Sequence, residues 1–268
     1  MSGSIQTVHT VIRAWRSAAL GSLLALSLCS QVCAQSGNQL PNAPQPQNDS
    51  SPPVTLRRTA RNILADQEAI WTSPARLKDS NAVGPALLVL ATAGLITTDH
   101  EVMSKHFLDP SRAHEANTAS NGLLGGFVAA PVILYDMGHI KQDDHATETG
   151  ILGGEAMADS LAVDEVLKLV TMRERPALDG AKGRFFQTNV GFDSSFPSTH
   201  CMIVWSSAAA IASEYRGPLT QIAAYGLATG VSVARVVGRQ HFPSDVLVGS
   251  AVGWMIGRYV VHRHRHAD

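Results

Sequence analysis

Cations and imidazoles recur at three places in the chain where helices begin or end, and together they could grip and attack an oxyanion. In KLVTMRERP, Lys168 and Arg175 stand seven residues apart, two helical turns, so both fall on one face before Pro176 stops the helix. Two unneutralised cations on one face suit an oxyanion, although a solvated basic face is the plainer reading of that segment alone. In FPSTH, Pro197, Ser198 and Thr199 mark a helix start whose free backbone N–H groups and positive dipole end favour an anion, with His200 in the first turn. In ARVVGRQHFPSD, Gly238 breaks one helix and Pro243 opens the next. His241 precedes that opening and Asp245 follows four residues later, where its carboxylate can accept a hydrogen bond from one ring nitrogen of His241. The tautomer is then fixed and the other nitrogen is left as a nucleophile. A local cap is the competing reading of that pair.

Taken together, Lys168, Arg175, Arg235, His200, His241, Asp245 and a capped helix start are the parts needed for phosphoryl transfer without a metal. Their order and spacing resemble the type 2 phosphatidic acid phosphatase and vanadium-dependent haloperoxidase superfamily, whose pattern is K-x6-R-P, then P-S-G-H, then S-R-x5-H-x3-D. Lys168, Arg175 and Pro176 fit the first part, Pro197, Ser198 and His200 the second, and Arg235, His241 and Asp245 the third. The resemblance spans about residues 145 to 260. It implies that His241 attacks phosphorus to form a phosphohistidine, that Asp245 orients it, and that His200 protonates the leaving oxygen and then activates water. It also implies that Lys168, Arg175, Arg235, Ser198 and the Thr199 backbone N–H hold the phosphate oxygens, with no metal and no cofactor. Thr199 stands where the family has Gly and Ala234 where it has Ser, which narrows the pocket at one place and deletes a hydroxyl at another. The implied activity is hydrolysis of a phosphate monoester or a lipid phosphate or polyphosphate, the substrate being a phosphorylated small molecule or a lipid. Vanadate-dependent halide oxidation and an inactive envelope scaffold of the same fold are the alternatives.

These groups must be carried by helices, because from Leu56 onward the chain is rich in Ala and Leu runs punctuated by Gly and Pro, with little β-type alternation. An all-α helical bundle is expected, with helices near 58–70, 83–98, 102–107, 117–136, 143–173, 198–214, 217–236 and 243–262. The runs near 83–98, 122–135 and 246–261 approach the length of a membrane span but are interrupted by Asp99, Pro131 and Arg258. With a mean hydropathy of +0.04, a soluble bundle with buried helices is favoured over a multi-span protein, and association with a membrane surface stays open. Residues 1–34 read as a secretory signal, with Arg13 and Arg16 before an apolar run and Val32-Cys33-Ala34 at the cleavage site. Residues 35–55 read as a disordered linker rich in Pro, Gln and Asn, 56–262 as one domain and 263–268 as a tail. Export to the periplasm or cell envelope follows, and oligomeric state is not legible.

A net charge of −1 argues against nucleic acid as a partner. Of three cysteines only Cys201 lies beyond the signal, so no internal disulfide is available. Asp99-His100 and Asp143-Asp144-His145 could suggest metal ligands, but helix-end acids and polar turns are commoner. Arg173, Arg184 and Arg239 read as surface arginines, Trp71 and Trp254 as packing residues, and His262, His264 and His266 as part of a solvated basic tail.

Overall fold

The computed structural model describes residues 54–76, 82–105 and 109–265. Within them the chain is all-α, with no strand. The helices are α1 (Leu56–Thr72), α2 (Val83–Lys105), α3 (Pro110–Lys141), α4 (Asp144–Thr171), α5 (Thr199–Glu214), α6 (Pro218–Val237) and α7 (Pro243–Arg265). The expected break between 98 and 102 is absent, because nothing in ITTDHEVM stops a helix and the polar groups there find tertiary partners. The expected signal and nearly all of the linker lie outside the described residues. Of the linker, Val54 packs against the main apolar core.

Local sequence sets most helix ends. Asp109 caps α3 by accepting from the Ser111 and Arg112 N–H groups, and Pro110 fits the first turn. Asp143 caps α4 through the Ala146 N–H, and Met172 ends it in a left-handed conformation whose N–H donates to the Lys168 carbonyl. Pro218 and Pro243 open α6 and α7.

Helix α5 is the centre of the bundle and touches α3, α4, α6 and α7. Its run of Ser and Ala between Ser206 and Ala212 is buried, which lets neighbouring backbones come close. Leu152, Ala156, Met202, Ala210, Ile256 and Val260 form one core between α4, α5 and α7, and Phe127, Val204, Ala208, Ala228 and Val231 form a second toward α3 and α6. Helix α7 carries Gly249, Gly253 and Gly257 one turn apart, each facing the backbone of α5 or its cap. A β-carbon on Gly249 would stand 2.8 Å from the Ser198 carbonyl, and on Gly253 or Gly257 it would collide with the carbonyl of Met202 or Ser206.

The expectation of buried apolar helices is corrected for α2 and α3. Both are long and apolar enough to cross a membrane, yet only 11% and 17% of their most apolar stretches are buried. Leu87, Val89, Leu90, Val132, Ile133 and Ile140 face outward. Trp71 and Trp254, read as packing residues, are partly exposed, the latter under the Arg258 guanidinium.

Candidate active site

The three motif segments meet at one end of the bundle, where α4 ends and α5 and α7 begin. The turn between α6 and α7 folds back so that the His241 N–H donates to the Arg235 carbonyl at 3.3 Å. The Ser198 N–H donates to the Asp245 carbonyl at 3.2 Å, which ties the start of α5 to the first turn of α7. Arg175 reaches the same turn and donates from Nη1 to the Gln240 carbonyl at 3.3 Å. Arg235 donates to Ser120 Oγ at 3.3 Å, and the next residue on α3, Asn121, bonds His200 at 2.9 Å. Both imidazoles lie within electrostatic reach of Arg235, Arg175 and Lys168.

His241 is buried, with Nδ1 2.7 Å from the backbone carbonyl of Ser195. A carbonyl can only accept, so Nδ1 carries the hydrogen and Nε2 keeps its lone pair. The expected hydrogen bond from His241 to Asp245 is corrected here, since the carboxylate stands 3.9 Å from Nδ1. Asp245 instead accepts from Arg173 at 2.5 Å and from the Phe242 N–H at 2.8 Å. It therefore fixes the backbone that carries His241 rather than the ring. Burial pushes the Asp245 carboxyl up to about 7 against the pull of Arg173. Burial also holds the His241 imidazole well below the usual histidine range, and Arg235 and Arg175 push it the same way. For His200, burial followed by Arg235, Arg175 and Lys168 lowers it to about 4. Both rings are thus neutral at neutral pH.

The cations differ in how they are held. Lys168 is buried and sits 3.4 Å from Asp164, whose same oxygen accepts from the Thr199 hydroxyl at 2.7 Å. Thr199 thus shares the acid that holds Lys168, which a glycine could not do. Arg175 is clamped by Asp193 at 2.9 Å from a loop carboxylate that is itself 74% exposed. Arg235 is 6% exposed and, among the described residues, no carboxylate lies within ion-pair distance. Its Nε has no hydrogen-bond partner, and the buried Ser198 Oγ has none either, with the weakly bonding Cys201 thiol nearby. Ser198 takes the N-cap position of α5 without capping through its side chain.

Arg173, read from the sequence as a surface arginine, is 2% exposed and is the hub of the site's support. It bonds Asp245, Ser244 Oγ at 2.7 Å, Asp99 at 2.8 Å and the Gly183 carbonyl, between the rings of Phe185 and Phe242. Five N–H donors in a fixed plane make arginine suited to that many partners. Sequence reasoning also missed Ser195, Asp164, Ser120 and Asn121. The signal for the last two was present: Asn117, Ser120 and Asn121 share one face of α3, and Asn117 Nδ2 bonds the Gly238 carbonyl at 3.0 Å. Arg184 pairs with Glu174 and Asp179, and Arg239 reaches the carbonyls of Met103 and Pro176.

Two imidazoles under the influence of three cations, with an unpaired Ser198 Oγ and Arg235 Nε buried at the same motifs, coincide with a family signature. Residues 151–267 match the PAP2 superfamily. The PAP2 match runs from early α4 to just past the end of α7 and contains Lys168, Arg175, Ser198, Thr199, His200, Arg235, His241 and Asp245. A 66-residue stretch is 36% identical to the lipid A 1-phosphatase of Porphyromonas gingivalis, covering 24% of this chain. The chain spans 15% of the length of that relative. A crystal structure of a transmembrane PAP2 type phosphatidylglycerolphosphate phosphatase from Bacillus subtilis superposes with a TM-score of 0.51 at 20% identity, covering 69% of this chain and 97% of that one. The likeness to the PAP2 structure is one of fold, and it extends ahead of the matched motifs into the leading helices.

Proposed function

We propose that the chain is a membrane-seated lipid phosphate phosphatase that works through a phosphohistidine on His241. The observation that carries the reading is Arg235, a buried guanidinium with an unpaired Nε and, among the described residues, no acid within ion-pair distance. An uncompensated buried charge costs several kcal/mol, on the order of 3–5, and a phosphate dianion offsets it. The neighbouring unpaired Ser198 hydroxyl and Lys168 suit the same ligand.

In the proposed cycle the Nε2 lone pair of His241 attacks phosphorus while Ser195 holds the proton on Nδ1. The P–O bond to the alcohol breaks, and His200 gives the leaving oxygen its proton. Substrate supplies the means for that step, because a bound dianion cancels the push of Arg235, Arg175 and Lys168 and raises the affinity of His200 for a proton. His200 then takes a proton from water as it attacks the phosphohistidine. Asp245 acts as a positioning residue through Arg173 and the Phe242 N–H. A lipid substrate is preferred to a soluble phosphomonoester, because α2 and α3 present apolar faces fit for acyl chains. The two named relatives, a lipid A phosphatase and a phosphatidylglycerolphosphate phosphatase, both carry lipid phosphates in their names.

The test is phosphate release by the full chain from detergent-dispersed lipid phosphate monoesters, beside soluble esters. His241→Ala should keep the helical circular-dichroism signal and lose turnover by about 1,000-fold or more, together with the acid-labile, base-stable phosphoenzyme. Hydrolysis at the unmutated rate by that variant overturns the assignment, and so does an unmutated chain inert toward every ester.

A further inference from the structure

A second polar cluster lies about 20 Å from Lys168, at 1.5 Å per residue along α4, and the phosphatase chemistry makes no use of it. Asp66 on α1, Glu155 on α4 and His264 on α7 converge there, with ligand atoms within 4.8 Å of one another. The two carboxylate side chains are fully enclosed, and the imidazole, from the segment read as a solvated tail, is 14% exposed. His264 Nε2 faces two oxygens at once, Asp66 Oδ2 at 2.6 Å and Glu155 Oε1 at 3.0 Å. A ring nitrogen carries at most one hydrogen, so it serves only one of them. Glu155 Oε1 is left buried without a hydrogen bond. One turn further along α4, Asp159 is also fully buried, with Oδ1 bonded to Gln67 and Oδ2 unpartnered.

Burying that many carboxylates calls for compensating positive charge. Arg263 supplies one charge, at 3.0 Å from Asp66 Oδ1. Two enclosed carboxylates and an imidazole nitrogen thus converge on one point, with Glu155 Oε1 still unpartnered, an arrangement that a cation would complete. We infer that Asp66, Glu155 and His264 form a divalent-metal site, with Asp159 one turn further along α4 as a further acid, well removed from the phosphate site. One imidazole nitrogen and two carboxylate oxygens, with a further position for water or Asp159, is a donor set that suits Zn2+. The ion would join α1, the middle of α4 and the end of α7, three elements distant in sequence.

The inference stands apart from the catalytic reading and is tested without an activity assay. Full-length protein in detergent, stripped with chelator and titrated with Zn2+, should take up one ion per chain and gain thermal stability. Glu155→Gln, which keeps the shape and removes the charge, and His264→Gln should each weaken binding about tenfold or more, whereas His262→Gln should retain it. X-ray absorption on the loaded unmutated protein should show one imidazole nitrogen and otherwise oxygen near 2.0–2.1 Å. That spectrum decides the matter even if a variant fails to fold. The inference is overturned by absent uptake, by binding indifferent to Glu155→Gln, or by a shell of several imidazoles, which would assign the ion to the histidines of the C-terminal end.

Discussion

At the scale of single residues, the side chains that were chemically conspicuous in the sequence are those that the fold brings to one end, but their partners differ from the ones proximity in sequence suggests. Asp245 lies four residues from His241 and yet bonds Arg173, while the His241 ring is held by a carbonyl 46 residues away. The reason is steric. Once the Asp245 carboxylate accepts from the Phe242 N–H, it is committed to the turn and stands short of the ring. His200 gives a testable consequence of the same surroundings. Its folded-state value is about 4 against an ordinary 6.5, so between those limits the unfolded chain binds the proton and the folded chain does not. Stability from this group is therefore present above pH 6.5 and lost as pH falls toward 4. Asp245, raised in the folded state, slopes the opposite way, so the comparison must isolate His200. The stability of the unmutated protein relative to His200→Gln, from denaturant titrations in detergent, should drop as pH falls from 6.5 to 4. A pH-independent difference would remove His200 from the field of the three cations.

At the scale of elements, the site exists because α7 lies against α5 closely enough for the Asp245 carbonyl to meet the Ser198 N–H. The glycine ridge of α7 permits that approach, and leucine at its centre would force the two helices apart. Gly253→Leu is expected to cost about 1–3 kcal/mol from overpacking and to lower phosphatase activity as the two motif-bearing ends separate. Gly226 on α6 has open space around its β-position, so Gly226→Ala should be neutral or stabilising by up to about 1 kcal/mol. Thermal melts with parallel activity measurements check both, and an unchanged melt and rate for Gly253→Leu would refute the role of the ridge. The helical nature of these elements was legible from Ala and Leu runs with Pro and Gly at their ends. The union of two expected segments into α2 was not, because Asp99 looks like a helix end until Arg173 and Ser244 are seen to satisfy it.

At the scale of the whole molecule, α2 and α3 turn apolar surface outward while the site gathers charge at one end of the bundle. An aqueous domain would leave the faces bearing Leu90 and Ile140 wet, at 68% and 79% exposure, whereas lipid accommodates them. The full chain is therefore expected to stay with membranes through an alkaline carbonate wash and to need detergent for a monodisperse preparation. Recovery as a monodisperse protein in plain buffer would defeat the membrane-seated reading. The proposed phosphate site lies where α7 begins, and the Asp66, Glu155 and His264 cluster lies toward the other end of α7.

The helical class was legible in the sequence, as were the candidate side chains that the fold gathers at one end, because helix propensity, Pro and Gly punctuation and the spacing of Lys168 to Arg175 and of His241 to Asp245 act over one or two turns. What depends on helices meeting came from the tertiary structure: the burial of Arg173, the lack of a carboxylate within ion-pair distance of Arg235 among the described residues, the carbonyl that sets the His241 tautomer, Asn121 beside His200, and the outward faces of α2 and α3. Each of these depends on atoms brought together across tens of residues, and whether a charge is sheltered or a leucine exposed is a property of the neighbours that the fold supplies.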